Sequence, residues 1–178
     1  MKDPTPPRRD DAIRRIPGAR PARPTTLGHM SDDPEPADPL HERLHAIFDG
    51  QVMNYGAYNL LYASGSARHL DDAIVEHQSP DQHHFIIGYR RAPAELVIAP
   101  FDPASMEPLG LPMPADNTNT VALQLFPERR IRLETTSGSR FDLQVSPLVE
   151  VPTARGEEIL EQEDDVEDFA EFIRHQVV

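Results

Sequence analysis

Cysteine is absent from this 178-residue chain. Its absence excludes disulfides, thiol nucleophiles, thiolate-bound zinc and iron–sulfur clusters. It also fits a reducing compartment, so a cytoplasmic location is expected. Tryptophan is absent too, and lysine occurs once, at Lys2, beside 16 arginines. With so much Ala, Pro and Asp, that imbalance reads as the coding bias of GC-rich DNA rather than as 16 binding sites. No run of about 18 apolar residues exists, so no membrane span is expected. The early arginines are not followed by the apolar stretch of a secretory signal. Gly-x-Ser-x-Gly is missing, as is any glycine-rich phosphate loop, which leaves little support for nucleophilic or nucleotide chemistry.

Apolar residues make up 38% of the chain, below the usual level of about 45–50%. The deficit is concentrated at the ends, chiefly the first 38 residues. Nearly half of the 19 prolines lie before residue 40. Residues 1–38 are therefore expected to be a disordered Pro/Arg-rich leader and acidic linker, because they bury too little to offset the entropy of ordering. Either Met1 or Met30 could be the true start. Residues 39–178 are expected to form a single α+β domain. Residues 1–30 carry seven basic and three acidic side chains, and residues 31–178 carry ten and 27, a net of −17. Such a body repels nucleic-acid phosphates and anionic lipid.

Periodicity supplies the elements. Leu40, Leu44, Ile47 and Phe48 share one helical face, with Asp38 placed to cap, Pro39 at the first helical position and Gly50 at the C′ position. Residues 51–64 read as one long strand bent at Gly56. Residues 65–83 read as a polar connection holding a short helix in "HLDDAIVEHQ". "HHFIIGYRR" and "AELVIAPF" suggest an antiparallel pair turned at Pro93, and the proline-rich residues 102–118 suggest a loop. Val121, Leu123 and Leu125, then Ile131 and Leu133, then Phe141, Leu143 and Val145 alternate as three strands, the last two joined at Gly138. Residues 150–165 are an acidic stretch. Val166, Phe169, Ala170, Ile173 and Val177 mark a closing amphipathic helix, buried on the sheet or on a partner. The sum is about six antiparallel strands in a meander between an N-terminal and a C-terminal helix. In element order it resembles pleckstrin-homology-like and GRAM-like barrels, so a pleckstrin-like partial barrel and a bent open sheet are both expected forms.

One stretch carries a chemical pattern, His41-Glu42-x-x-His45. Two imidazoles one helical turn apart can share a zinc, with the glutamate as general base on a bound water. In these three positions it resembles the zincin metallopeptidase helix. The resemblance implies His41 and His45 as zinc ligands and Glu42 as catalytic base. The metzincin continuation is absent, since "AIFDG" follows, and His41 and His45 fall at the border of the apolar stripe. A second group, His69, His77, His83 and His84 with Asp71, Asp72, Glu76 and Asp81, has no recognised ligand spacing. His83 and His84 point to opposite faces of any strand they begin.

The sequence favours a binding module over an enzyme: a non-catalytic cytoplasmic interaction protein without cofactor. In size, acidity and element order it is similar to small acidic chaperones for secreted proteins, which implies a chaperone or adaptor role. Its partner would be a basic or apolar protein surface, or a second copy, contacted through Tyr55, Tyr58, Tyr62, Phe169 and Ile173. The alternatives are a zinc-dependent metallohydrolase and a pleckstrin-like ligand-binding barrel.

Overall fold

The computed structural model describes residues 38–53, 56–68 and 83–176. The expected leader and the short helix at 69–78 lie outside these residues. The described residues belong to one compact unit with an α+β fold. Helix α1 (Leu40–Gln51) is followed by strands β1 (Asn59–Arg68), β2 (His83–Arg91) and β3 (Ala94–Asp102). Two short strands come next, β4 (Glu107–Pro108) and β5 (Met113–Asp116), then β6 (Thr120–Leu125), β7 (Arg130–Thr135) and β8 (Arg140–Gln144). The hairpin β9 (Leu148–Thr153) and β10 (Gly156–Glu161) precedes helix α2 (Glu163–Gln176). No helix among the described residues is long and apolar enough to cross a membrane.

Among the described residues eight strands form one sheet in the order β4-β3-β2-β1-β8-β7-β6, with β5 also on β3. The described strand pairings are antiparallel. The path fixes the curvature. β5 lies on the outer side of β3, and β6 lies on the opposite margin. Laid flat, those margins would be about 29 Å apart at about 4.8 Å per lane. Yet Asp116 and Thr120, the ends of β5 and β6, can be separated by no more than about 14 Å of chain. The sheet must therefore roll toward itself.

Each face is covered differently. Inside the roll, Val166, Phe169, Phe172 and Ile173 of α2 pack on Leu61, Phe85, Ile87, Tyr89, Leu133 and Phe141. Burying each of these four side chains contributes roughly 2 kcal/mol. On the other face, Leu44, Ile47 and Phe48 of α1 join Val151 and Leu160 of the hairpin over Leu60, Tyr62, Ile86 and Val97. β1, β2 and β3 are thus buried on both sides, which is why their sequences read "LLYA", "FIIGY" and "LVIA" without alternation. β7 and β8 are covered on one side and alternate strictly. Their wet face is tied by Arg132–Asp142 at 2.8 Å and Arg140–Asp142 at 3.3 Å.

Several local expectations are corrected. Pro39 is itself the N-cap of α1, with no side-chain cap, and Gly50 lies inside the helix, which ends at Gln51 with Val52 as its C-cap. Strand β1 starts at Asn59 and runs to Arg68, so residues 51–64 are not one strand. The supposed loop 102–118 holds β4 and β5, whose prolines are tolerated because each strand pairs on one side only. The acidic stretch 150–165 holds the hairpin and the first turn of α2, where Glu163, Asp164 and Asp165 favour the helix dipole.

Two glycines are required by close approach. A Cβ on Gly88 of β2 would lie 2.2 Å from the Phe48 ring, so the bare backbone is the seat of that phenylalanine. A Cβ on Gly65 would lie 2.1 Å from the Asp142 carbonyl oxygen, where β1 and β8 meet.

Candidate functional site

The site arises where β1 outlasts its neighbour. β1 pairs with β2 over Asn59–Gly65, but with β8 only over Ser64–Arg68. The lane beside the first half of β1 has no strand in it among the described residues. Gln162, which is 4% exposed, plugs its upper end. The Tyr62 N–H donates to Gln162 Oε1 at 2.8 Å, and Gln162 Nε2 donates to the carbonyl oxygens of Tyr62 at 3.0 Å and Ser146 at 2.8 Å. A side-chain amide thus stands in for the missing strand, and it does so once.

Below Gln162 the lane opens into a cavity of about 580 Å³, within the size range of ligand pockets, about 300–1,000 Å³. Its floor is apolar: Leu40 and Leu44 of α1, Leu60 of β1, Ile86 of β2 and Leu160 of β10. Its rim is polar, two imidazoles and two carboxylates: His41, His45, Glu161 and Asp165. Ile159, 64% exposed, stands on the same rim between acidic neighbours. Two described arginines are engaged in ion pairs on the framing elements. Arg43 donates to Glu158, holding α1 to the hairpin, and Arg91 donates to Asp168 at 2.6 Å.

Electrostatics follow from these contacts. Loss of water around the Asp165 carboxyl, then the charge of Asp164, raises its pKa, while His45 is close enough to oppose the rise. The Tyr89 hydroxyl, donating at 2.6 Å, holds the Asp168 pKa down, with help from Arg91. Glu158 is held down by Arg43 and then by the Thr153 hydroxyl. Tyr62 and His84 share a hydrogen bond of 2.5 Å on the α1 face. Burial pushes the Tyr62 phenol up to about 12 and pushes the His84 imidazole down.

The residues singled out in the sequence are dispersed. Tyr55, His69, His77, Asp71, Asp72, Glu76 and Asp81 lie outside the described residues. Tyr58 is half-buried, its ring 5.7 Å from Phe48 and its hydroxyl donating to Glu95 at 2.6 Å. Tyr62, Phe169 and Ile173 are 3%, 1% and 0% exposed. They are core side chains, so the stripe of α2 is spent on the sheet and presents neither Phe169 nor Ile173 to a partner. His41 and His45 do line the groove, but His41 Nε2 lies 3.9 Å from Glu42 Oε1 in an exposed pair. Among the described residues no group of three His, Cys, Asp or Glu side chains is disposed to hold a metal. His84 turns to Tyr62, while His83 faces Phe85 at 6.1 Å. Gln162, Leu60, Ile159 and Asp165 were not foreseen. A single isoleucine inside "EEILEQEDD" was the available signal.

A second cavity, about 460 Å³, lies in the gap between β5 and β6 over Phe172 and Gln176 of α2. It is more polar, with Glu95, Asp116 and Asn117 in its wall. No protein-family model, no curated protein and no solved structure matches this chain.

Proposed function

We propose that this chain is a non-catalytic cytoplasmic interaction module, of the chaperone or adaptor kind, whose binding site is the groove between α1, β1 and β10. The single observation that carries this is the groove's composition: an apolar floor under a rim of two carboxylates and two imidazoles, with an exposed isoleucine at its lip. An apolar protein segment bearing arginine or lysine matches it. Apolar side chains gain by leaving water, and the cations gain from the rim and from the negative body. A second copy carries the same −17 on residues 31–178, so repulsion favours a distinct, basic partner.

The test is to pan a phage-displayed library of random ten-residue peptides on the full chain. Enriched peptides rich in basic and apolar residues, bound at least tenfold less well by Ile159→Asp, are expected. Ile159 is exposed, so the substitution leaves the core intact. A library that yields no binder, or binders indifferent to Ile159→Asp, would refute the proposal. Native mass measurement of the purified chain separates a partner-binding monomer from a self-associating one.

A further inference from the structure

We infer that the segment held in this groove binds as an added β-strand on β1, in the lane that β8 does not reach. The inference rests on the functional reading above and specifies its mode. In an antiparallel ladder the N–H and C=O of one residue point to the same side, and those of residues two apart point alike. The N–H and C=O of Tyr62 both turn to Gln162. Leu60, two residues earlier, must face the same lane, where no described strand lies opposite. Leu60 also lines the groove. Its donor and acceptor are therefore offered at the floor of an apolar cleft, the arrangement used when an extended peptide completes a sheet edge.

The other wall supports the same mode. Among the described residues β10 pairs with β9 only, in a separate two-stranded sheet, so an inserted strand would run between β1 and β10 and bridge the two sheets. The walls dictate its chemistry. Successive side chains of a strand point to opposite faces. On one face lie Leu40 and Leu44 of α1, and on the other lies Asp165 of α2. A segment alternating apolar and basic residues fits both at once, whereas a helix would present its basic and apolar residues at a spacing of three or four.

The experiment uses the tightest library-selected peptide and the full ¹⁵N-labelled chain. Hydrogen–deuterium exchange of the Leu60 amide is expected to slow at least tenfold on binding. N-methylation of the peptide backbone one residue at a time is expected to weaken binding about tenfold at alternate positions and little between them. If Ile159→Asp abolishes binding but Leu60 is unprotected, or sensitive positions recur every three or four residues, strand addition is overturned and the groove stands. If Val121→Lys on the open strand β6 abolishes binding and Ile159→Asp does not, both the groove and the strand lane are refuted.

Discussion

Replacing Gln162 by leucine removes the side chain that completes β1. Gln162 makes three hydrogen bonds, two of them to the N–H and C=O of Tyr62, a residue 3% exposed. The Ser146 carbonyl is half-buried and can turn to water, so two groups are left stranded. Each stranded group costs about 1–3 kcal/mol, and the added apolar contact of leucine offsets part of that. The net loss is about 3 kcal/mol. With a urea slope of about 2 kcal/mol/M for a chain of this size, the midpoint falls by about 1.5 M. Gln162→Glu sharpens the test. Its carboxylate can still accept from Tyr62 N–H, but it faces two carbonyl oxygens, so its folded-state pKa rises above the ordinary value of about 4.3. A raised pKa means that stability is fullest below the unfolded value and is lost as pH rises. The deficit of Gln162→Glu against the parent chain should therefore grow from about pH 4.3 upward. A midpoint shift under about 0.3 M for Gln162→Leu, or a deficit for Gln162→Glu that shrinks with rising pH, would refute this account of the amide plug.

Two further tests address the elements that frame the groove. Gly88→Ala forces its Cβ into the Phe48 ring and should destabilise by about 1–3 kcal/mol in chemical denaturation; Phe48→Leu in the same background should recover part of the loss, and strict additivity would refute the contact. Asp168 and Glu158 both have lowered folded-state pKa values, so their contribution is present above the unfolded values near 4 and is lost as pH falls below them. Between pH 5 and pH 3 the melting temperature of Asp168→Asn and of Glu158→Gln should fall less steeply than that of the parent chain, and parallel curves would argue against both clamps.

How much the residues revealed depended on how locally each feature is encoded. β7 and β8 announce themselves because one wet face forces alternation, and α1 because four apolar residues recur at helical spacing; in β6 the expected alternation fails at Val121, which is 63% exposed beside a register shift. The continuous runs in β2 and β3 were legible as strands, but their two-sided burial was not, since it depends on helices distant in sequence. The β9–β10 hairpin escaped because it sinks mainly Val151 and Leu160 amid acids. β4 and β5 escaped because Pro108 and Pro114 argue against strands, except on lanes paired on one side. His41 and His45 stand out by their spacing, and they do border the groove. What makes the groove a site is the point where β8 stops, and no spacing near residue 60 records that.

The plug also orders events in time. Tyr62 and Gln162 are 100 residues apart, and the covers of both sides of β1 include Leu160, Val166 and Phe169. During synthesis β1, β2 and β3 emerge after α1 but long before α2, so the side that α2 covers lies bare in the interval. A chain paused in that interval would offer nearby molecules a sticky, half-built ribbon, so rapid elongation or a shielding helper would protect yield more than any gain in final stability.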